Sequence, residues 1–425
     1  MEVERKIKEL LVRVLHLNVA PSELGDHEPL FDGLGLDSLA TLELIAGIEE
    51  EFGIRVEDEE LTVELFESVA SLSKFVRNKL GIGVGDMKKG VKATGEKVKR
   101  PDSDLPEVFR TVRPEHQRAL DFLALWTPPE DFKSLDAEVL IEHVEYSYIA
   151  RGTVPWGGRI GEELFFGYVL PYRTWAEPIG RWRKLLYSEL YPLVGRLADP
   201  VEAAMEVNRW AAGKAHFKDI PVTYKSPLRT IADGCGDRID LSIFLVAACR
   251  SVGIPARGVF SPWMPLGHDG THMWTEVWEG KWYYLGSCEP ERAPDRAWFS
   301  MHIKRAAKVY ALSFRGTGSM LGLRYCPDVW VEDVTDRYTT VGTLRVKVTA
   351  DGIPIPECSI YVLVPSSKNE LVLVASLETD VDGLVEMKLG SQVEVYFICA
   401  GDLRKNCGQF VHIDTGRTKE VHLKM

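Results

Sequence analysis

Cys235 stands between two glycines, in Ala232-Asp233-Gly234-Cys235-Gly236-Asp237, at the head of an apolar run holding Leu241, Ile243, Phe244, Val246 and Ala247. The run reads as a helix that ends near Arg250, ahead of Gly253-Ile254-Pro255. Cys235 is therefore expected at or near a helix N-terminus, where unpaired N–H groups and the positive dipole end favour thiolate over thiol. The flanking glycines let backbone approach a substrate closely. A buried structural thiol is the ordinary alternative for a single cysteine, and the glycines and the helix start argue against it. Downstream, His272 lies in the alternating segment Thr271 to Trp278. Set beside Cys235, its imidazole would be general base to the thiol and general acid to the leaving group. A third group is Ser38, in Gly35-Leu36-Asp37-Ser38-Leu39, where Asp37 can cap a helix and leave the serine hydroxyl in its exposed first turn.

These groups need elements to place them. A strand is expected from Ala256 to Phe260, and Thr271 to Trp278 should form a hairpin with Lys281 to Leu285 across Gly280. Residues from about 105 to 232 read as mostly helical, with one apolar segment around Leu120, Phe122, Leu123 and Leu125. A second, opened by Asp199-Pro200, holds Ala203, Ala204, Val207, Trp210 and Ala211. The aromatic stretch from Leu164 to Arg173 reads as core or cleft wall. In the first eighty residues three stripes repeat at helical spacing: Val3, Ile7, Leu10, Leu11 and Val14; Leu39, Leu42, Ile45, Ile48 and Phe52; Leu65, Val69, Leu72 and Val76. Residues 81–104 have no apolar period and are rich in Gly and Lys, as a basic tether would be. From about 339 the pattern turns to strands, with turns at Asp351-Gly352 and Asp382-Gly383.

A chain of 425 residues suits roughly two to four domains. The net charge of -12 argues against a general nucleic-acid binder. Eighteen acidic side chains against eight basic ones fall within residues 1–80, so most of that charge is there. No apolar run approaches the roughly 18–20 residues of a membrane span, and no membrane partner is expected. The first residues show no signal-peptide core. Seven scattered cysteines without CxxC pairs suggest no disulfide framework, and a reducing cytoplasm is the expected setting.

Gly35-Leu36-Asp37-Ser38-Leu39, followed by a helix carrying Glu43, Glu49, Glu50 and Glu51, resembles the acyl or peptidyl carrier proteins over residues 1–80. The resemblance implies a four-helix carrier bundle with 4'-phosphopantetheine attached at Ser38. It also implies a phosphopantetheinyl transferase and an acyl-loading ligase or synthase as partners. The acidic helix would then dock enzymes through their basic patches. On pattern alone the segment could equally be a plain solvated bundle.

Gly-Cys-Gly-Asp at 234–237, His-Met-Trp-Thr-Glu-Val at 272–277 and Trp-Tyr-Tyr-Leu at 282–285 resemble the transglutaminase-like, papain-related superfamily over residues 105–338. That resemblance implies an α+β core with Cys235 as nucleophile and His272 as base. The third member departs from the family pattern, because Gly286 stands at the closest spacing and cannot orient an imidazole. Glu289, before Pro290, is the candidate carboxylate and Asp295 the reserve. An oxyanion hole would use the Cys235 backbone N–H and one donor from among Trp210, Tyr224 and Trp156. His268, His272 and Cys288 are the residues that could suggest a metal site. The intervening Asp-Gly-Thr reads as a loop, and no CxxC or HExxH accompanies them, so no metal is expected. Residues 339–425 resemble the immunoglobulin-like or carboxypeptidase-regulatory sandwiches appended to many enzymes.

The expected whole is multidomain: an all-α carrier, a tether over 81–104, an α+β core and an all-β sandwich. Its expected activity is acyl transfer. Cys235 would take an acyl group from the thioester at Ser38 and pass it to an amine acceptor, making an amide in natural-product assembly. A cysteine hydrolase, either thioesterase or peptidase, and a non-catalytic scaffold are the alternatives.

Overall fold

The computed structural model describes residues 2–14, parts of 19–30 and 44–56, residues 68–80, and residues 114–425 apart from 128–130, 132–135, 267–269, 315–318, 321–329, 367–370 and 402–407. Ser38, Asp37, His268 and the expected tether at 81–104 lie outside the described residues. The chain divides into two compact units, Met1–Val98 and Lys99–Met425.

The first unit contains helices α1 (Glu2–Val14) and α2 (Val69–Leu80). Its core is made from the apolar stripes: Val3, Ile7, Leu10, Leu11, Ile48, Val69, Leu72 and Val76 are buried, and Val14, Ile45 and Phe52 pack on them. Burying each such aliphatic side chain is worth about 1.5–3 kcal/mol. A Cβ on Gly47 would come within 2.9 Å of Leu10 Cδ2, so α1 is met there by nearly bare backbone. Lys6 pairs with Glu51 at 2.8 Å across the same contact.

In the second unit the helices are α3 (Pro114–Trp126), α4 (Ala137–Thr153), α5 (Glu162–Tyr168), α6 (Arg183–Val194), α7 (Pro200–Ala212), α8 (Pro227–Asp233), α9 (Arg238–Ser251), α10 (Ser300–Ile303) and α11 (Thr335–Tyr338). Asp199 caps α7 by accepting from Val201 N and Glu202 N. Strands β1 (His216–Phe217) and β2 (Cys235–Gly236) form a small parallel pair. A six-stranded sheet runs in the order β5-β4-β3-β6-β8-β7. Its members are β3 (Ala256–Ser261), β4 (His272–Glu279), β5 (Lys281–Leu285), β6 (Tyr310–Ser313), β7 (Ser319–Met320) and β8 (Trp330–Asp333). Gly280, at φ 67, makes the β4–β5 turn.

Every residue of α9 from Ile239 to Ser251 is buried, because the helix is covered on all sides. Ile239 and Ile243 pack on Phe260 and Met273 of β3 and β4. Phe244 and Leu245 share a core with Leu186 and Leu190 of α6 and Val207 of α7. Arg183 fastens this layer. Its guanidinium is fully buried and donates to the carbonyls of Arg250, Leu170 and Pro171 and to His143 Nδ1.

The C-terminal strands build two facing sheets. One holds β9 (Val341–Ala350), β10 (Ile353–Pro354), β13 (Leu384–Gly390) and β16 (Thr418–Lys424). The other holds β11 (Ser359–Pro365), β12 (Leu371–Glu378), β14 (Tyr396–Ala400) and β15 (Gly408–Val411). Leu344, Val346, Val348, Ile360, Val362 and Ile398 fill the space between them. Asp351 and Gly352 both have left-handed φ, 50 and 82, as a two-residue hairpin requires. A seam joins this sandwich to the six-stranded sheet. Tyr310 donates to Val374 O at 3.1 Å, and Lys308 Nζ reaches both Asp333 and Lys388 O. A Cβ on Gly390 would lie 2.0 Å from Ala306 O, so only glycine fits that contact.

Candidate functional site

The segment before α9 is fixed by local polar bonds. Gly234 ends α8 at φ 65, in the left-handed region, and the chain then pairs Cys235 with His216. Asp237 is the N-cap of α9, its carboxylate accepting from Ile239 N and Asp240 N at 2.8 Å. Asp240 completes a capping box by accepting from Asp237 N, and it also takes Lys225 N at 2.7 Å. A Cβ on Gly236 would stand 2.6 Å from Asp240 Cβ, so the box needs that glycine.

This geometry corrects one expectation. Arg238, not Cys235, is the first residue of α9. Cys235 belongs to β2, two residues ahead of the cap, and the dipole effect is confined to the first turn. The cysteine is half-buried, whereas Cys249, Cys288, Cys358 and Cys399 are buried. Its charged neighbour is Lys225, whose Nζ donates to Cys235 O at 3.2 Å and pairs with Asp233 at 2.9 Å.

His272 opens β4, opposite Ser261 of β3. Its ring is 7% exposed and lies against Phe299 at 4.5 Å, Trp298 at 5.1 Å and Trp274 at 6.0 Å between centroids. Burial, with the neighbouring Arg238 and the His302 ring adding to it, pushes the imidazole down to about 3. The ring is thus neutral at physiological pH, and its Nε2 is buried with no hydrogen-bond partner. Among the described residues, the structure does not bring Cys235 within hydrogen-bonding reach of His272. The charged group that α9 sets beside the imidazole is Arg238.

Glu289 and Asp295 are placed differently from each other. Glu289 Oε2 accepts from Trp298 Nε1 at 2.8 Å, and burial raises its carboxyl. Asp295 accepts from Tyr284 N at 2.9 Å and pairs with Lys281 at 3.4 Å, closing the loop after β5. Neither bonds the His272 ring. Of the proposed oxyanion donors, Trp156 is fully buried and its indole N–H already serves Gly253 O at 3.2 Å. Trp210 packs on Phe244, and Tyr224, at φ 49, packs near Trp175.

Two supports escaped sequence reasoning. Glu276, fully buried, accepts from Arg257 and Arg337 at 2.7 Å and from Tyr338 OH at 2.5 Å. Trp274 Nε1 donates to the same tyrosine at 3.1 Å, so this network braces β4 directly below His272. The second support is a run of buried hydroxyls, Ser242, Ser287 and Thr275, each 2.9 Å from the next. It ties α9 to β4 and to the turn after β5. The alternation of His272, Trp274 and Glu276 signals a shared face, but serines carry no pattern that marks them in advance.

A family model described as Transglutaminase-like superfamily matches residues 191–301, and one described as Phosphopantetheine attachment site matches residues 5–76. An acyl carrier protein of Bradyrhizobium sp. (strain ORS 278) is 36% identical over 75 residues, 18% of this chain and 90% of that relative. Among solved structures, a holo acyl carrier protein from Nitrosomonas europaea is 32% identical, covering 19% of this chain and 99% of that one, with TM-score 0.18. Red sea bream transglutaminase is 8% identical, covering 61% of this chain and 66% of that one, with TM-score 0.32. A domain of the carrier kind bears covalently attached 4'-phosphopantetheine, and it implies a phosphopantetheinyl transferase and acyl-loading partners. The transglutaminase-like fold is one used by cysteine enzymes. No helix among the described residues is long and apolar enough to cross a membrane. Through its N-terminal domain the chain belongs to the acyl carrier protein family, and it joins that carrier to a transglutaminase-like core.

Proposed function

We propose that the protein handles an acyl group delivered as a thioester from Ser38, with Cys235 as the thiol that takes it over and an amine as its final acceptor. The observation that supports this is Cys235 itself, half-buried where the other described cysteines are buried, and beside a lysine ammonium held by Asp233. A neighbouring cation favours thiolate. The thiolate attacks the acyl carbonyl, a new C–S bond forms, and the carrier thiol leaves. An amine then attacks the acyl-cysteine, forming a C–N bond and releasing the Cys235 sulfur. His272, neutral and with its buried Nε2 unpartnered, is the proposed acceptor of the amine's proton.

Arg238 favours a second reading. A guanidinium occupies the helix start beside His272, and Gly286 follows β5 where a carboxylate would orient the ring. On that reading the core holds the acyl-carrier without turnover. Loading the chain from an acyl-coenzyme A with a promiscuous phosphopantetheinyl transferase separates the two. Peptide mapping by mass should find the acyl group on Cys235, and an added amine should release it as amide, with both outcomes lost in Cys235→Ala. An acyl group that stays on Ser38, together with Cys235 alkylation no faster than that of a free thiol, sinks the transferase and leaves the holding function.

A further inference from the structure

Trp298 is 51% exposed, yet it forms the outer wall of a buried imidazole. Its ring meets His272 edge-on at 5.1 Å and Phe299 at 5.7 Å, and His302 lies 6.0 Å away. Phe299 and Trp274 close the inner sides and are fully buried. Trp298 is thus the side of the enclosure that solvent can reach. What holds it is Glu289, at 2.8 Å from the indole N–H.

Glu289 is held in turn by an unusually constrained turn. Glu289 N donates to Gly286 O at 3.2 Å, and that same carbonyl accepts from the buried Asn208 amide at 2.8 Å. Ser287 is fixed by Ser242 and Thr275. Cys288 sits at φ 57, a left-handed conformation that costs a non-glycine residue about 1–3 kcal/mol. A Cβ on Gly286 would lie 3.1 Å from Glu289 Oε2 and 3.2 Å from Glu289 Cβ. The missing side chain at 286 therefore makes room for the carboxylate to fold back toward Trp298. Strain and close approach are both spent on aiming Glu289 at the indole.

We infer that Trp298 is a positioning residue for His272, an indole shutter latched by Glu289 that keeps the imidazole dry and its Nε2 unpartnered until the shutter opens. Glu289 acts on His272 through this ring, not by bonding it. The inference rests on the proposed function only in giving His272 a task, and it is tested on His272 alone. The titratable and charged groups facing the imidazole are Arg238 from α9 and His302 from α10, with Glu289 standing behind the indole.

Diethyl pyrocarbonate acylates neutral, accessible imidazole, and peptide mapping of the full chain reads His272 separately. In the native chain His272 should react slowly, with little change from pH 5 to 8. Trp298→Ala should speed it at least roughly tenfold at pH 7 and add a fall in rate below about pH 6.5, as a hydrated imidazole titrates. Glu289→Ala should move His272 part of the way. Glu289→Gln keeps an acceptor for the indole N–H and should stay near the native rate. His143, fully buried and bonded to Gly180 O, reports whether a variant has unfolded. If His143 reacts in Trp298→Ala, the decision passes to Trp298→Phe and Glu289→Ala, where His272 must again react faster than native. A slow, pH-flat His272 in the folded variants overturns the latch, as does equal behaviour of Glu289→Gln and Glu289→Ala.

Discussion

Around Cys235 the polar groups find their partners in the segment from His216 to Asp240, whereas around His272 the supporting groups arrive from β3, α9, α10, α11 and the turn after β5. The first region is a local construction: one cap, one short strand pair and one lysine. The second is a tertiary construction, in which a buried carboxylate is shared by two guanidiniums and a phenol. The contrast shows why the helix start is occupied as it is. Asp237 and Asp240 bond each other's backbone and so set where α9 begins, and that register hands the first position to Arg238.

The tertiary side should be the easier to break. Glu276→Ala leaves Arg257 and Arg337 facing a vacant acceptor in a buried site, and a loss of about 3–5 kcal/mol is expected in denaturant unfolding. A loss under 1 kcal/mol would mean that β4 is not braced as described. Next in size is the acid response of His272. Its folded value of about 3 lies below the ordinary 6.5. Between those values the unfolded chain binds the proton and the folded chain does not. Stability from this group is therefore complete above pH 6.5 and is lost as pH falls toward 3. His272→Gln should flatten that limb of the stability profile, and an unchanged limb would assign it to other groups.

On the local side, Asp237→Ala removes the cap of α9 and should cost about 0.5–2 kcal/mol. It should also loosen Cys235, seen as faster alkylation, and no change there would uncouple the cysteine from the cap. Lys225→Met should slow alkylation of Cys235 at neutral pH, since the cation that favours thiolate is gone. An unaltered rate would remove Lys225 from the proposal. The smallest effect belongs to Gly286→Ala, where contacts of 3.1 and 3.2 Å require Glu289 to yield by only a few tenths of an ångström. Its mark would be faster labelling of His272 with little change in melting.

What sequence reasoning could read follows the same division. The carrier stripes, the hairpin across Gly280 and the cap at Asp199 were legible because periodicity and turn chemistry act between near neighbours. The start of α9 was legible in principle, since Asp237 and Asp240 stand at the spacing of a capping box, and the pull of a glycine-flanked cysteine obscured it. Glu289 was found, but not its partner, because nothing in the order of residues says that an indole nine positions on will take its carboxylate. The Glu276 network was beyond reach for a plainer reason. Arg257, Glu276, Glu332 and Arg337 meet only once β3, β4, β8 and α11 have assembled.

The seam between the sandwich and the six-stranded sheet has a mechanical consequence. Tyr310 of β6 and Lys308, two residues ahead of it, anchor strands of the sandwich, and β6 is hydrogen-bonded to β3, the strand that stands opposite His272. The sandwich thus acts as ballast for the strand beside the imidazole. Heating residues 99–425 should then show one cooperative endotherm, and stiffness at the site should respond to changes made deep in the far sheet.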